Sequence, residues 1–353
     1  MSILTVTHPT GQYPVHIWRG ALAHAGELVR GIGVTGKVAV ITNPTIAALY
    51  GDVVMSGLEA AEVAAVQCTM PDGEEYKTLD TVRALYDQLI DGQLDRNGAV
   101  LALGGGVVGD VAGFVAATYL RGIALVQAPT TLLAMIDSSL GGKVAVDHPR
   151  GKNLIGAFYQ PRLVIADPDV LRTLPPAEWR AGLAEVVKHG IIAAPKLFAL
   201  LEQHGLEPLD AIVEQAVAVK VEIIQGDPYE QGRRAVLNLG HTFAHAFETV
   251  SDYRLRHGEA VGIGLIAAAR TAVAMGLCRP EVERRIADLL SRFDIPTRLG
   301  GYDPVAIRAA MSTDKKRRGS RLRFILPEDI GRVTIRDDVP EGVILEVLGS
   351  LTP

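Results

Sequence analysis

The first half of the chain alternates short apolar runs with amphipathic segments. The runs have four to six residues, are rich in β-branched side chains and end at turn-forming residues, which is typical of buried strands. They predict strands over 37–42, 99–103, 123–127 and 163–166. A helical pattern over 78–91 lies between two of them. Strands that alternate with helices indicate parallel βαβ units with helices on both faces of a sheet.

The pattern changes after Pro175 and Pro176, where apolar positions begin to recur at helical spacing. Helices are predicted over 177–192, 210–225, 237–249, 259–275 and 280–293, and strand-like runs only at 322–326 and 333–335. The predicted fold is therefore an α/β, Rossmann-like N-terminal domain over 1–170 and a mostly α-helical C-terminal domain over 171–353. The apolar stretch 260–277 contains Arg270, so it is interpreted as a buried helix and not a membrane span.

Composition narrows the class of protein. The 353 residues are 48% hydrophobic and 21% charged, which fits two globular domains. A formal net charge of −5 argues against a nucleic-acid partner, although a local cationic pocket for an acidic small molecule remains compatible with it. Cys68 and Cys278 are too few and too far apart for a disulfide framework or a thiolate zinc finger. No signal peptide is evident at the N-terminus, so a cytoplasmic protein without a membrane partner is expected.

A glycine-rich motif follows the second predicted strand. Gly104, Gly106 and Gly109 satisfy GxGxxG at a strand-to-helix turn, where backbone N–H groups bind the pyrophosphate of a dinucleotide. A tight turn without a ligand needs glycine as well, and the acid expected about 20 residues further on is missing, so a dinucleotide site here would be a variant. Asn43, after the first strand, is either a contact for the adenosine end or an ordinary turn amide.

Three histidines and a helical carboxylate form a candidate metal set. His241 and His245 lie one helical turn apart on one face, His257 follows nearby, and Glu185 lies on an earlier helix. Such a set matches catalytic zinc, whereas a hydrogen-bonded pair of core histidines is the structural alternative. Spacing alone leaves open which histidines bind.

Cationic residues recur beside small or polar ones. Lys143 and Lys152 follow glycine-rich segments, Lys220 lies amid apolar residues of a predicted helix, and Arg234 precedes Asn238. Lysine suits phosphate and arginine suits a carboxylate. Each one alone, and above all the run 315–318, is typical of a solvated surface. Their joint presence in an acidic protein indicates a pocket for an anionic ligand.

Taken together and in this order, these motifs resemble the 3-dehydroquinate synthase family. The resemblance rests on 71–77, 104–110, 128–134, 137–143, 151–156, 238–248 and 257–259. It implies an NAD-binding α/β domain and a helical metal domain with the active site in the cleft between them. It also implies NAD and a divalent metal, Zn²⁺ or Co²⁺, as cofactors and a sugar phosphate as substrate. The implied reaction converts 3-deoxy-D-arabino-heptulosonate 7-phosphate to 3-dehydroquinate and phosphate in the shikimate pathway. It proceeds by transient oxidation by NAD, phosphate elimination, re-reduction and intramolecular aldol closure.

The resemblance also assigns roles to individual residues. The metal ligands are Glu185, His241 and His257, so that His245 is placed near the substrate phosphate instead. The implied NAD contacts are Asn43, Glu74, Lys77, Gly105, Gly106, Asp110, Thr130, Thr131, Lys143, Lys152, Thr173 and Glu178. The implied substrate contacts are Arg121, Lys143, Lys152, Asn153, Lys220, Arg234, Asn238, His245 and Lys315. The implied catalytic set is Asp137, Lys143, Lys188, Lys220, Arg234, Asn238 and His245.

Three further expectations follow from the resemblance. The chain forms a homodimer, and Arg121 reaches the site of the partner subunit. Arg256 stands before His257 where an uncharged residue is common, so local packing is expected to differ there. Lys316 competes with the neighbouring Lys315 for its assigned role.

Three other functions stay open at the level of the sequence. A sister cyclase would act on sedoheptulose 7-phosphate or a glucose phosphate, which lack the carboxylate that Lys220 and Arg234 are suited to bind. A metal-dependent polyol dehydrogenase would accumulate NADH and need no phosphate-binding residues. A non-catalytic NAD-binding regulator would have no use for a metal set beside a phosphate pocket.

Overall fold

A computed structural model describes residues 1–316 and 322–352 of the chain, with side chains up to Met311 and from Leu322 onward. The chain divides into two compact units. The first unit comprises Met1–Pro175 and Leu209–Pro228, and the second comprises Pro176–Pro208 and Tyr229–Pro353.

The first unit is built on a seven-stranded sheet with the order β1-β2-β9-β6-β5-β3-β4. Its strands are β1 (Ser2–His8), β2 (Gly11–Ile17), β3 (Val38–Thr42), β4 (Ala65–Thr69), β5 (Ala99–Gly104), β6 (Ala124–Pro129) and β9 (Leu163–Ala166). β1 pairs antiparallel with β2, and every other pairing is parallel. The antiparallel hairpin of β7 (Lys143–His148) and β8 (Gly151–Phe158) stands apart from this sheet. The four strands predicted from the apolar runs correspond to β3, β5, β6 and β9.

Five helices of the first unit lie between strands of the sheet, and a sixth comes after the last strand. They are α1 (Ala25–Gly31), α2 (Pro44–Ile46), α3 (Asp52–Ala60), α4 (Leu79–Asp91), α5 (Gly106–Thr118) and α8 (Leu209–Gly226). Thr78 caps α4 by accepting a hydrogen bond from the N–H of Thr81. Helix α5 lies close to β6, because a Cβ at Gly109 would stand 2.9 Å from Gln127 Oε1. Gly109 lies in the first turn of α5, so the last glycine of the glycine-rich motif allows this close approach.

Helix α8 departs from the division predicted at residue 170. The sequence places it in the second domain among other helices, whereas it belongs to the first unit. Ser2 donates a hydrogen bond from its hydroxyl to Glu214 Oε1 at 2.9 Å, and the N–H of Thr7 donates to Gln225 Oε1 at 2.8 Å. A helical period shows that one face of α8 is buried, but it carries no information about which unit buries it.

The second unit is rich in helices. They are α6 (Pro176–Ile192), α7 (Pro195–His204), α9 (His241–Val250), α10 (His257–Ala274), α11 (Pro280–Arg292), α12 (Pro304–Lys316) and α13 (Glu341–Leu351). A hairpin of β10 (Phe324–Asp329) and β11 (Arg332–Arg336) completes the unit. The predicted fold class, a parallel-sheet α/β unit followed by a helical one, is confirmed. In the part of the chain that the structure describes, none of the helices has the length and apolar character needed to cross a membrane.

The predicted helix over 237–249 begins four residues later than expected. A 3₁₀ segment over Arg233–Asn238 precedes it, and Gly240 has a left-handed backbone with φ of 79°. This conformation is favourable for glycine and interrupts the helix there. As a result His241 is the first residue of α9, at a helix end and not inside a helix.

Candidate metal centre and dinucleotide turn

Three side chains from three helices of the second unit meet at one point. Glu185 lies on α6, while His241 and His257 are the first residues of α9 and α10. Glu185 Oε1 is 3.6 Å from His241 Nε2 and 3.9 Å from His257 Nε2, and one ligand atom of each residue lies within 4.8 Å of the others. Among the described residues, no hydrogen-bond donor satisfies this buried carboxylate oxygen. A divalent cation would satisfy it, so the three residues fit a metal with two nitrogen ligands and one oxygen ligand.

Both imidazole rings are held through their other nitrogen. His241 Nδ1 lies 3.2 Å from the carbonyl oxygen of Leu239, and His257 Nδ1 lies 3.1 Å from Glu248 Oε1. An oxygen acceptor at Nδ1 favours the tautomer that leaves Nε2 with a lone pair for a metal. Glu248 is a residue that sequence reasoning missed. The sequence shows only that Glu248 follows His241 by two helical turns and so lies on the same face of α9, which does not by itself indicate a contact with His257.

Glycine at two helix contacts allows this convergence. A Cβ at Gly258, directly after His257, would lie 2.1 Å from the Cα of Ala181 on α6. A Cβ at Gly264 would lie 2.3 Å from the carbonyl oxygen of Gly240, directly before His241. Helix α10 therefore approaches α6 and the start of α9 at backbone distance, and this brings Glu185, His241 and His257 together.

Burial and charge set the protonation of the two histidines. The pKa of His241 lies well below its usual value, first because of burial and then because of the Lys188 ammonium and the neighbouring imidazoles of His257 and His245. For His257, burial lowers the pKa, but the hydrogen bond to Glu248 and the charge of Glu185 outweigh it, and the net shift is upward. His241 is thus neutral, as a metal ligand requires, whereas the raised pKa of His257 means that protons compete more strongly with a cation there.

The other predicted site residues of the second unit lie around these helices. Lys188, one turn after Glu185, is buried and pairs with its carboxylate. The exposed ring of His245 stands 5.6 Å from that of His241 and lies outside the ligand group. Arg234 is buried in the 3₁₀ segment, and Asn238 Nδ2 donates to Glu230 Oε1 at 3.2 Å.

Two predictions concern the ends of helices in this unit. Arg256, directly before α10, forms an ion pair of 3.2 Å with Glu178 in the first turn of α6. The unusual arginine therefore adds a contact between α6 and α10 beside the ligands. Lys315 and Lys316 end α12, and their side chains lie outside the described residues.

The glycine-rich turn of the first unit has the features of a dinucleotide site. Strand β5 ends at Gly104, and α5 begins at Gly106. The N–H of Thr130 donates to the carbonyl oxygen of Gly104 at 2.9 Å, while a Cβ at Gly105 would lie 3.2 Å from Thr131 Cγ2. The hydroxyl of Thr130 is buried without a hydrogen-bond partner among the described residues. A helix N-terminus next to small residues and an unsatisfied hydroxyl fits the pyrophosphate of NAD.

Lys77 links three motifs of the first unit. Its buried ammonium donates to Asp110 Oδ2 on α5 and to Asn153 Oδ1 on β8, both at 2.6 Å. Burial raises the pKa of Asp110 to about 6, although Lys77 acts in the opposite direction. Glu74, three residues before Lys77, and Lys152, directly before Asn153, form an exposed ion pair of 3.2 Å. Residues that the sequence could only place in separate segments thus gather beside α5.

The remaining predicted residues of the first unit occupy distinct places. Lys220 on α8 forms a largely buried ion pair with Asp137. Asn43 accepts a hydrogen bond from the N–H of Ile46 and donates one to Asp72, so it caps α2 as an ordinary turn amide would. Thr131 accepts from the N–H of Ala134. Thr173 is hydrogen-bonded to Tyr50. Lys143 is exposed at the start of β7, and Arg121 is exposed with a left-handed backbone, φ 67°.

A parallel-sheet unit with a glycine-rich turn and a helical unit with a Glu-His-His set define the class of dinucleotide- and metal-dependent enzymes. Family models place the chain within this class. The model described as 3-dehydroquinate synthase N-terminal matches residues 67–181, and the one described as 3-dehydroquinate synthase C-terminal matches 182–317. The chain belongs to the 3-dehydroquinate synthase family.

Individual relatives agree with this assignment. The chain is 45% identical over 361 residues to a 3-dehydroquinate synthase of Nostoc punctiforme, with 99% of each chain covered. Among solved structures, it is similar to a 2-epi-5-epi-valiolone synthase of Streptomyces hygroscopicus with NAD⁺ and Zn²⁺ bound, with a TM-score of 0.87, 29% identity and 99% and 98% coverage. It is also similar to a 2-deoxy-scyllo-inosose synthase complexed with carbaglucose-6-phosphate, NAD⁺ and Co²⁺, with a TM-score of 0.85, 28% identity and 99% coverage of both chains.

Proposed function

We propose that the chain converts 3-deoxy-D-arabino-heptulosonate 7-phosphate to 3-dehydroquinate and phosphate, with NAD and Zn²⁺ as cofactors and Co²⁺ as a substitute metal. The observation that carries the proposal is the convergence of Glu185, His241 and His257 on one point in a member of this family. The bound cofactors of the two similar synthases support the choice of cofactors.

The proposed site residues bind the metal, the NAD or the substrate. Glu185, His241 and His257 hold the metal, and the turn at Gly105 and Gly106 with Thr130 and Thr131 holds NAD, assisted by the Lys77–Asp110 pair. When bound, NAD accepts and returns a hydride and the metal polarises a hydroxyl. The same carbon is oxidised and then reduced, so the reaction has no net redox change. The leaving phosphate serves as its own base, and no strongly basic side chain is needed.

Charged residues provide for both anionic groups of the substrate. Lys143, Lys152, Asn153, Asn238, His245 and Lys315 bind the phosphate, while Lys220 and Arg234 bind the carboxylate. Asp137 holds the Lys220 ammonium in place through their ion pair. The Lys188 ammonium pairs with the buried Glu185 carboxylate and balances its negative charge. The assignment of a lysine and an arginine to the substrate carboxylate favours this substrate over the sister substrates that lack one.

An assay of phosphate release on three substrates tests the proposed function. The purified protein, supplied with NAD and Zn²⁺, should release phosphate from 3-deoxy-D-arabino-heptulosonate 7-phosphate and not from sedoheptulose 7-phosphate or glucose 6-phosphate. Absorbance at the NADH band should stay flat during turnover. Activity restricted to a substrate without a carboxylate would overturn the proposal in favour of a sister cyclase, and steady NADH accumulation would overturn it in favour of a dehydrogenase.

The Lys152→Ala variant should bind the phosphorylated substrate about 10- to 100-fold more weakly, measured as a rise in KM. The expected loss is that of one charge-assisted hydrogen bond to phosphate, about 1.5–3 kcal/mol. Lys152 is exposed and its ion pair with Glu74 lies at the surface, so its removal should leave the fold intact. Arg150→Ala, an exposed cation in the turn of the same hairpin, is the control and should keep its KM. Unchanged KM and kcat in Lys152→Ala would contradict the placement.

The proposed enzyme is a cytoplasmic homodimer in which Arg121 acts on the site of the partner subunit. The family resemblance supports the dimer, and Arg121 is exposed on a left-handed turn of its own unit. The cytoplasm is where NAD and phosphorylated sugar acids are available to a biosynthetic enzyme. Sedimentation of the purified protein at micromolar concentration tests the dimer.

A further inference from the structure

The two histidines of the metal centre are held in different ways. His241 Nδ1 faces a main-chain carbonyl, that of Leu239, while His257 Nδ1 faces a side chain, Glu248 Oε1 at 3.1 Å. The His257 side chain is 39% exposed, against 13% for His241. Packing therefore constrains the His257 ring less, and its orientation depends more on the Glu248 contact.

The Glu248 contact determines what His257 can offer to a cation. A neutral imidazole carries one proton, and an acceptor at Nδ1 places that proton on Nδ1. The lone pair then lies on Nε2, the atom that is 3.9 Å from Glu185 Oε1. An anionic acceptor also increases the electron density of the ring and with it the strength of the Nε2 ligand.

We propose that Glu248 is a positioning residue of the metal centre, which fixes the tautomer and orientation of His257 without itself contacting the metal. The inference rests on the proposed function, because it presumes a cation at Glu185, His241 and His257. Glu248 lies on α9, which also carries His241, and His257 lies on α10. The contact therefore links the two helices that carry the histidine ligands. Its expected contribution is the 10- to 100-fold in metal affinity typical of groups that orient a ligand.

Co²⁺ titration of the metal-free protein tests this proposal without relying on turnover. The d–d absorption of bound Co²⁺ reports ligand geometry, and competition with a chelator gives the Kd. Glu248→Ala should bind Co²⁺ about 10- to 100-fold more weakly than the wild type and with an altered spectrum. Glu248→Gln should recover most of the affinity, because its amide oxygen still accepts from Nδ1–H. Thr249→Ala, an exposed neighbour whose hydroxyl donates to the His245 carbonyl oxygen, is the control and should match the wild type.

The outcomes separate this proposal from the proposed function. A wild-type Kd and spectrum in Glu248→Ala would overturn the positioning role alone. A Glu248→Gln variant that binds Co²⁺ as weakly as Glu248→Ala would also overturn it. An acceptor at Nδ1, which glutamine still provides, would then not be sufficient to keep His257 in its metal-binding tautomer. Failure of the wild-type protein to bind Co²⁺ or Zn²⁺ would overturn the metal centre and the proposed function together. If Glu248→Ala does not fold, Glu248→Met, which keeps the volume and removes the acceptor, decides the question.

Discussion

The His257→Ala variant should keep its fold and lose metal-dependent turnover by about a thousandfold or more. The substitution leaves two protein ligands, Glu185 and His241, where a catalytic zinc site uses three. A bound metal contributes several kcal/mol of charge stabilisation, and each ~1.4 kcal/mol is tenfold in rate. The partly exposed ring leaves no buried cavity behind, so stability of the metal-free protein should change little. Elemental analysis, the rate of phosphate release and the thermal midpoint in chelator measure the three effects.

His204→Ala is the matched control for this prediction. His204 ends α7 in the same unit and is exposed, so the variant removes the same group away from the metal centre. It should retain wild-type metal content and rate. Full activity of His257→Ala with a metal ion still bound would show that the ligand set is wrong. Loss of the thermal transition in chelator would show that His257 has a structural role.

The fold was predictable wherever burial leaves a recognisable pattern along the chain, either a short continuous apolar run or an apolar stripe at helical spacing. Strands such as β3, buried at every position, and helices such as α11, with a clear apolar stripe, are visible in the sequence because local pattern and tertiary environment agree. The assignment of α8 to a unit was not predictable, because partners such as Ser2 and Thr7 lie more than 200 residues earlier in the chain. The start of α9 was missed because Gly240 adopts a left-handed conformation that a search for apolar periodicity does not detect.

The metal set shows where sequence reasoning reaches its limit. Spacing identified His241 and His245 as a pair on one face but could not choose among the three histidines, because the choice depends on how α6, α9 and α10 pack. Only the family resemblance named Glu185, His241 and His257, and the structure brings these three together. Glu248 has no metal-binding signature of its own, and its contact with His257 arises from the approach of α9 to α10.

Gly258→Ala should separate α10 from α6 and weaken both the fold of the second unit and its metal site. The added Cβ would stand 2.1 Å from the Cα of Ala181, a main-chain atom that cannot rotate away. The two helices must therefore move apart, at a cost of about 2–3 kcal/mol or more. His257 is the adjacent residue and would move with α10, away from Glu185. Urea unfolding of the metal-free protein and Co²⁺ titration of the folded protein measure the two effects.

Gly342→Ala provides a closely matched comparison for this last prediction. Gly342 is the second residue of α13, as Gly258 is of α10, but a Cβ at Gly342 meets no atom within 4 Å. The same change there should leave Co²⁺ affinity unaltered and stabilise the helix by up to about 1 kcal/mol, since alanine has the higher helix propensity. Opposite signs for the two variants would locate the effect in the α6–α10 contact. Equal effects would mean that the second helical position itself determines how alanine changes stability at both sites. The close approach of Gly258 to Ala181 would then have no part in it.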